Sequence, residues 1–275
     1  MIEFSAAYES DLPALEALWQ SAFGDGPETI RLFFERMFRP ENTCAAKENG
    51  ELRAALYLLP AQIILSSERS EPVYYLYAAA TKPEFRRRGI MRALLSYAAQ
   101  IARERGKAAL CLLPGEESLV RYYLRCGYRE YFAARRVILP YKAPSKETVR
   151  FECDDPKAVR EAFLKETPGS ILFPETHVSF AKRYYRFVSA KNAYAMISEH
   201  DGALCRVSEL FAAPEDFDLL FSRICEEYPA KEYEIHTAAD CLKGFGSFEN
   251  RGMILPLGES EIPETKTAYL GLTLE

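Results

Sequence analysis

Three consecutive arginines, Arg86, Arg87 and Arg88, stand directly before Gly89, and the residues that follow, IMRALL, break at once into an apolar pattern of helical spacing. A run of β-branched, aromatic and small residues, VYYLYAAAT (73–81), leads into them. The first turn of a helix carries backbone N–H groups without partners and the positive end of the helix dipole, which together favour a bound phosphate. A glycine at that point lets the backbone come close to a ligand. Arginines grip phosphate oxygens in bidentate fashion. The combination has the chemistry of a pyrophosphate cradle, yet GxxxxGK[ST] and GxGxxG are both missing, so it is neither a P-loop nor a dinucleotide turn. Taken alone, an arginine triplet is more often a solvated turn; here the strand before it, the glycine and the helix after it decide for a ligand.

Other chemistry-bearing residues are dispersed. His177, His200 and His236 have no metal-ligand spacing, and no metal is expected. The seven cysteines are odd in number and never form a CxxC pair, which reads as reduced thiols and a cytoplasmic setting. Cys126 has no histidine in sequence that would make it a nucleophile. A net charge of -5 argues against nucleic acid as a partner, since such domains carry a broad basic stripe. The start, MIEFSAAYESD, lacks the apolar core of a signal peptide. The longest apolar run, 54–65, is broken by Pro60 and Gln62 and falls short of the roughly 20 residues a span needs, so no membrane partner is expected.

Helices are predicted from Asp11, over Glu28–Phe38, from Ile90 to Gly106, and from Pro114 to Gly127. Asn49-Gly50 marks a hairpin. AALCLL (108–113) reads as a buried strand and FAARRVIL (132–139) as the next. PYKAPSKET (140–148) is the most linker-like stretch and places a boundary near 143. Beyond it the same order returns: a helix opened by Asp155-Pro156, a second helix holding His177, a hairpin at Asp201-Gly202, a helix through Phe217–Ile224, a strand near YEIHT and a Gly-Phe turn at 244–245. This predicts a degenerate internal duplication. Where the first half has RRRG, the second has Pro214, Glu215 and Asp216, whose charges repel a pyrophosphate.

The spacing RxxG, then a strand, then Tyr123-x-x-x-Gly127-Tyr128 resembles motifs A and B of the Gcn5-related N-acetyltransferase (GNAT) superfamily. YYLYAAATKPEFRRRGIMRALL and LLPGEESLVRYYLRCGY are similar to the matching segments of its bacterial two-domain, Eis-related group, over residues 1–140 well and thereafter in element order. The resemblance implies an α/β GNAT fold, a mixed, mainly antiparallel sheet flanked by helices, in which residues 1–142 form the acetyl-CoA-binding domain and 143–275 a degenerate GNAT-like module. It places Ala79 and Thr81 where a strand backbone pairs with the pantetheine arm. Arg86, Arg87, Arg88, Gly89, Ile90 and Met91 fall around the pyrophosphate, Met91 departing from the usual glycine or alanine. Tyr123 falls on the general acid. Glu116 stands where many members carry a cofactor-contacting asparagine, and its role is open between cofactor and substrate. The implied activity is acetyl transfer from acetyl-CoA to a primary amine of a small-molecule or peptide acceptor. The alternative is a non-catalytic acyl-CoA-binding or sensor protein. In Eis-type relatives the terminal carboxylate approaches the site, which makes Glu275 a candidate. Homo-oligomer formation stays open.

Overall fold

A computed structural model of the 275-residue chain describes residues 1–143, 153, 155–190, 192–258 and 261–274. In chain order β1 (Ile2–Ala6), α1 (Leu12–Phe23) and α2 (Pro27–Arg36) precede three strands, β2 (Thr43–Glu48), β3 (Glu51–Ser66) and β4 (Arg69–Thr81). Then come α3 (Ile90–Glu104), β5 (Ala109–Leu112), α4 (Glu117–Arg125), β6 (Arg129–Glu130) and β7 (Ala133–Pro140). The rest comprises α5 (Pro156–Leu164), β8 (Ile171–Leu172), α6 (Glu175–Tyr184), β9 (Arg186–Ala190), β10 (Ala193–His200), β11 (Leu204–Phe211), α7 (Pro214–Glu227), β12 (Glu232–Thr237), β13 (Ser247–Asn250) and β14 (Met253–Pro256). The hairpin predicted at Asn49-Gly50 joins β2 to β3, with both residues left-handed at φ 54° and 78° as a tight primed turn requires. The helix expected from Pro114 starts later, at Glu117, because Glu116 is still extended (φ -153°, ψ 157°) and serves as its N-cap.

The architecture is α/β with two mixed sheets. One runs β1-β2-β3-β4-β5-β14-β6 with β8 attached to β3; the other runs β13-β7-β12-β11-β10-β9. The chain forms two compact units that do not divide at residue 142. The first holds residues 1–62, 71–129 and 253–261, the second 63–70, 130–252 and 262–275. The strand predicted over 132–139 therefore belongs to the second unit. The position beside β5 is filled by β14, from the far end of the sequence. The side chains give the reason. Arg135 on β7 donates to the carbonyls of Ala239 (2.9 Å) and Phe245 (2.7 Å), and Arg136 pairs with Glu234 on β12 at 2.5 Å. By contrast β14 reads Met-Ile-Leu-Pro and lies antiparallel on the fully buried Ala-Leu-Cys-Leu of β5.

The two sheets repeat one logic. In each, a strand (β4, β11) leads through a helix (α3, α7) to a parallel neighbour (β5, β12), which is flanked on its other side by an antiparallel strand taken from elsewhere in the chain. The predicted duplication is thus a tandem with its closing strands exchanged. Ile254, fully buried opposite Cys111, makes the exchange testable. Ile254→Ala should destabilise the first unit by about 2–4 kcal/mol, read from the fluorescence of Trp19, the single tryptophan, which is buried in that unit. An unmoved denaturation midpoint would remove β14 from that sheet.

The second unit packs its C-terminal residues around a buried charge cluster. Arg160 donates to the carbonyls of Ile171 (2.5 Å) and Leu270 (2.7 Å) and pairs with Glu209 at 3.3 Å, while the Tyr194 hydroxyl donates to Glu209 at 2.6 Å. Gly271 is left-handed, and a Cβ there would lie 2.1 Å from the Glu209 carboxylate. Glu275 itself lies outside the described residues. His177 is fully buried with Nε2 2.8 Å from the Leu272 carbonyl, and burial, aided by the Arg160 charge, pushes its pKa down to about 4. Between pH 6.5 and 4 the unfolded chain binds this proton and the folded chain does not, so stability falls as pH falls through that window. Loss on the order of 3 kcal/mol is expected from this group. In His177→Gln, amide exchange in β9–β12 should lose most of that acid dependence.

Candidate active site

The site is built where β4 and β5 part. Their parallel ladder consists of Tyr74 opposite Leu110 and Tyr75 opposite Cys111. β4 runs on to Thr81 beyond that pair, while β5 ends at Leu112. Past the last pair lies Ala78, with φ 47°, a left-handed alanine inside a strand. That conformation costs about 1–2 kcal/mol for an L-residue and bends the strand at the point where it leaves its neighbour. Ala78 and Ala79 are half-buried and Ala80 is buried, so small side chains line this edge. Thr81, also half-buried, closes the strand, and its carbonyl accepts the Arg86 Nε at 3.2 Å.

The loop from β4 to α3 begins with a 3-10 turn, Pro83–Phe85, and ends on Gly89. Arg87 (φ 62°) and Gly89 (φ 77°) are both left-handed on either side of Arg88, a backbone form that turns successive N–H groups toward one concavity. Gly89 is the N-cap of α3 and brings no side-chain cap; the Ala93 amide is bonded to its carbonyl at 3.1 Å. The amides of Ile90, Met91 and Arg92 lie in the first turn, which lacks intrahelical acceptors. A Cβ on Gly89 would meet nothing within 4 Å. The glycine is thus demanded by its left-handed backbone in the empty site, and by closeness only once a ligand is present.

The three arginines have different tasks. Arg86 is fastened back to Thr81. Arg88 pairs with Glu48 at 3.2 Å and lies over the Phe85 ring, whose other neighbour is Arg53 at 4.2 Å. Arg87 is exposed and makes no hydrogen bond or ion pair among the described residues. It is the member of the triplet with a guanidinium to spare.

Tyr123, on α4, is 7% exposed and packs in one cluster with Ala79, Ile90, Met91 and Leu112. Its ring meets Tyr122 and Tyr128 edge-on at 5.5 Å each. Burial, with a contribution from Cys126, pushes its pKa up to about 12. It is therefore a neutral hydroxyl donor at physiological pH. Tyr122 is half-buried and hydrogen-bonded to Cys126. Tyr128 is buried and its hydroxyl has no hydrogen-bond partner among the described residues. Glu116 is exposed and accepts the Ser118 hydroxyl at 2.5 Å, which ties it to the start of α4.

The aromatic residues Phe33, Phe34 and Tyr75 are buried core, and Tyr77 is half-buried. Phe33, Phe34 and Tyr77 gather around Trp19, whose ring lies 4.5 Å from Phe33 and 5.6 Å from Tyr77 and whose Nε1 donates to Asp25 at 2.7 Å, and Tyr75 stacks on Tyr77. Among the described residues no three metal-binding side chains converge, and no helix is long and apolar enough to cross a membrane.

Residues 3–131 match the acetyltransferase (GNAT) domain family. No curated protein sequence matches the chain. Among solved structures the fold is shared with a GCN5-related N-acetyltransferase from Anabaena variabilis (TM-score 0.74, 12% identity, 94% of this chain and 73% of that one). It is shared also with a conserved protein of unknown function, described as a probable N-acyltransferase, from Enterococcus faecalis V583 (TM-score 0.72, 12% identity, 94% and 72%). Eis1 from Mycobacterium abscessus is similar over an equal share of this chain (TM-score 0.62, 13% identity, 94% and 74%). These likenesses extend across both units of the chain, so the second half is part of a shared tandem fold.

Proposed function

We propose that this chain is an acetyl-CoA-dependent N-acetyltransferase acting on a primary amine. The observation that carries the reading is the pairing of two features on one packed cluster: an uncapped helix N-terminus behind left-handed Gly89, and a buried, protonated Tyr123 beside the parted strands. The first suits the pyrophosphate of CoA, with Gly89, Ile90 and Met91 giving amides and Arg87 its side chain. Ala79 and Thr81 line the strand edge along which a pantetheine arm would pair. The second suits the leaving sulfur.

In the reaction the amine nitrogen, as its free base, attacks the thioester carbonyl and the C–N bond forms. The tetrahedral oxyanion requires a backbone N–H donor. As it collapses the C–S bond breaks, Tyr123 donates a hydrogen bond to the departing sulfur, and the thiolate takes its proton from water. The amine proton leaves through water or a carboxylate such as Glu116. In α7, which follows β11 as α3 follows β4, the first turn holds Pro214, Glu215 and Asp216, so one acetyl-CoA site per chain is expected.

The test is acetyl-CoA-dependent release of free thiol against a panel of primary amines. Turnover that requires both the amine and Tyr123 supports the reading. Tight acetyl-CoA binding without turnover on any amine would turn it toward an acyl-CoA sensor.

A further inference from the structure

Three arginines without carboxylate partners face one groove of the first unit. Arg92 and Arg103 on α3 and Arg125 at the end of α4 line a cavity of about 220 Å³ together with Ser96, Cys126 and Tyr128. Arg103 gives its Nε to the Leu257 carbonyl (3.0 Å) and Arg125 its Nε to the Arg121 carbonyl (3.1 Å), which leaves their terminal nitrogens unspent. Arg92 makes no hydrogen bond through its side chain, and none of the three forms an ion pair among the described residues. Elsewhere in the protein Arg53, Arg88, Arg136, Arg160, Arg206 and Arg223 each sit against a carboxylate. Three unmatched cations around one hollow, in a chain of net charge -5, call for an anion.

Tyr128 contributes to the wall of the groove, while its hydroxyl is shielded from water and stands near Tyr123 and Cys111. Burial raises the pKa of the Cys126 thiol, and the charges of Arg92 and Arg125 oppose that shift. The volume is below the roughly 300 Å³ at which pockets begin to enclose a whole small ligand, so the groove suits the end of a ligand. Arg92 follows Gly89 by three residues on α3, about 4.5 Å along the axis, and Arg103 by fourteen, about 21 Å, so the Arg92 end of the groove is the one beside the pyrophosphate cradle.

We propose that this groove binds a phosphate monoester, held by Arg92, Arg103 and Arg125. Its first source is the 3′-phosphate of CoA, in which case the inference rests on the acetyl-CoA reading above; the second is a free phosphate monoester bound independently of CoA.

Titration calorimetry on the full chain separates these, using acetyl-CoA, acetyl-dephospho-CoA and inorganic phosphate. The variants are Arg92→Gln and Arg125→Gln, both at exposed positions so that the fold is kept. The expected result is acetyl-dephospho-CoA binding at least about ten-fold more weakly than acetyl-CoA to the native protein, with the gap closing in either variant. Equal affinities, with inorganic phosphate bound by the native protein and lost in the variants, would assign the groove to a free phosphate. Equal affinities with no arginine-dependent phosphate binding would overturn the proposal. If acetyl-CoA fails to bind at all, the functional reading falls, and the inorganic phosphate arm alone decides the groove.

Discussion

Tyr123→Phe is expected to lower kcat by roughly 10²–10³-fold, about 2.7–4 kcal/mol of transition-state stabilisation, while leaving the KM for acetyl-CoA within about two-fold. The substitution removes one hydroxyl. The ring contacts with Tyr122 and Tyr128 survive, so the Trp19 fluorescence transition should stay within about 1 kcal/mol of the native value. The split between kcat and KM follows from when the hydroxyl is needed: the thioester sulfur is a poor acceptor, and strong hydrogen bonding begins as the C–S bond breaks and charge develops on sulfur. Its pKa of about 12 in the empty site exceeds that of a thiol by about 3.5 units, so complete proton transfer to a free thiolate would be uphill by about 5 kcal/mol. Tyr123 therefore acts by donating its hydrogen bond during C–S cleavage, and the thiolate so released takes its proton from water. It stays protonated throughout the neutral range. The rate should accordingly rise with pH as the amine loses its proton and show no falling limb from Tyr123 below about pH 10. A Tyr123→Phe enzyme with native kcat would exclude the role assigned to this residue.

Gly89→Asp should weaken acetyl-CoA binding by roughly a hundred-fold or more, without unfolding the protein. Two features make this substitution informative. Space is available, since a Cβ at residue 89 meets nothing within 4 Å. Aspartate is also among the residues that best tolerate a left-handed backbone, and a carboxylate at an N-cap stabilises an empty helix. The folded state is thus kept at a cost of about 1 kcal/mol for the left-handed backbone, while the carboxylate occupies the place and repels the charge of a pyrophosphate. Gly89→Asn is the companion variant. It keeps the shape and removes the charge, so its loss of affinity should fall between the two. If Gly89→Asp bound acetyl-CoA as tightly as the native protein, the cradle would lie elsewhere.

Much of the first module was legible because its signals are local. Arg86–Gly89 before an apolar helix, Asn49-Gly50 between strands and Tyr123 one turn before Gly127 each depend on a few neighbouring residues. The elements that escaped depend on partners distant in sequence. FAARRVIL reads as a strand in either sheet; only the acceptors Ala239, Phe245 and Glu234 draw β7 into the second. Met-Ile-Leu-Pro at 253–256 looks like the last strand of the second half, and its place beside β5 rests on apolar matching across more than a hundred residues. Ala78 carried no sign of its left-handed backbone, since alanine has no preference for it. Arg92, Arg103 and Arg125 read as solvated helix positions until α3 and α4 pack side by side. The arginine triplet, conversely, looked uniform in sequence, and only the packed loop separates tethered Arg86 and Arg88 from free Arg87.

The most direct test of the account is to incubate the protein with acetyl-CoA and a panel of primary amines, measuring free thiol and identifying the N-acetylated amine by mass spectrometry. The account predicts equal amounts of thiol and N-acetyl product from at least one amine, abolished in Gly89→Asp and strongly reduced in Tyr123→Phe. Thiol release that forms no N-acetyl product, or proceeds undiminished in both variants, would contradict it.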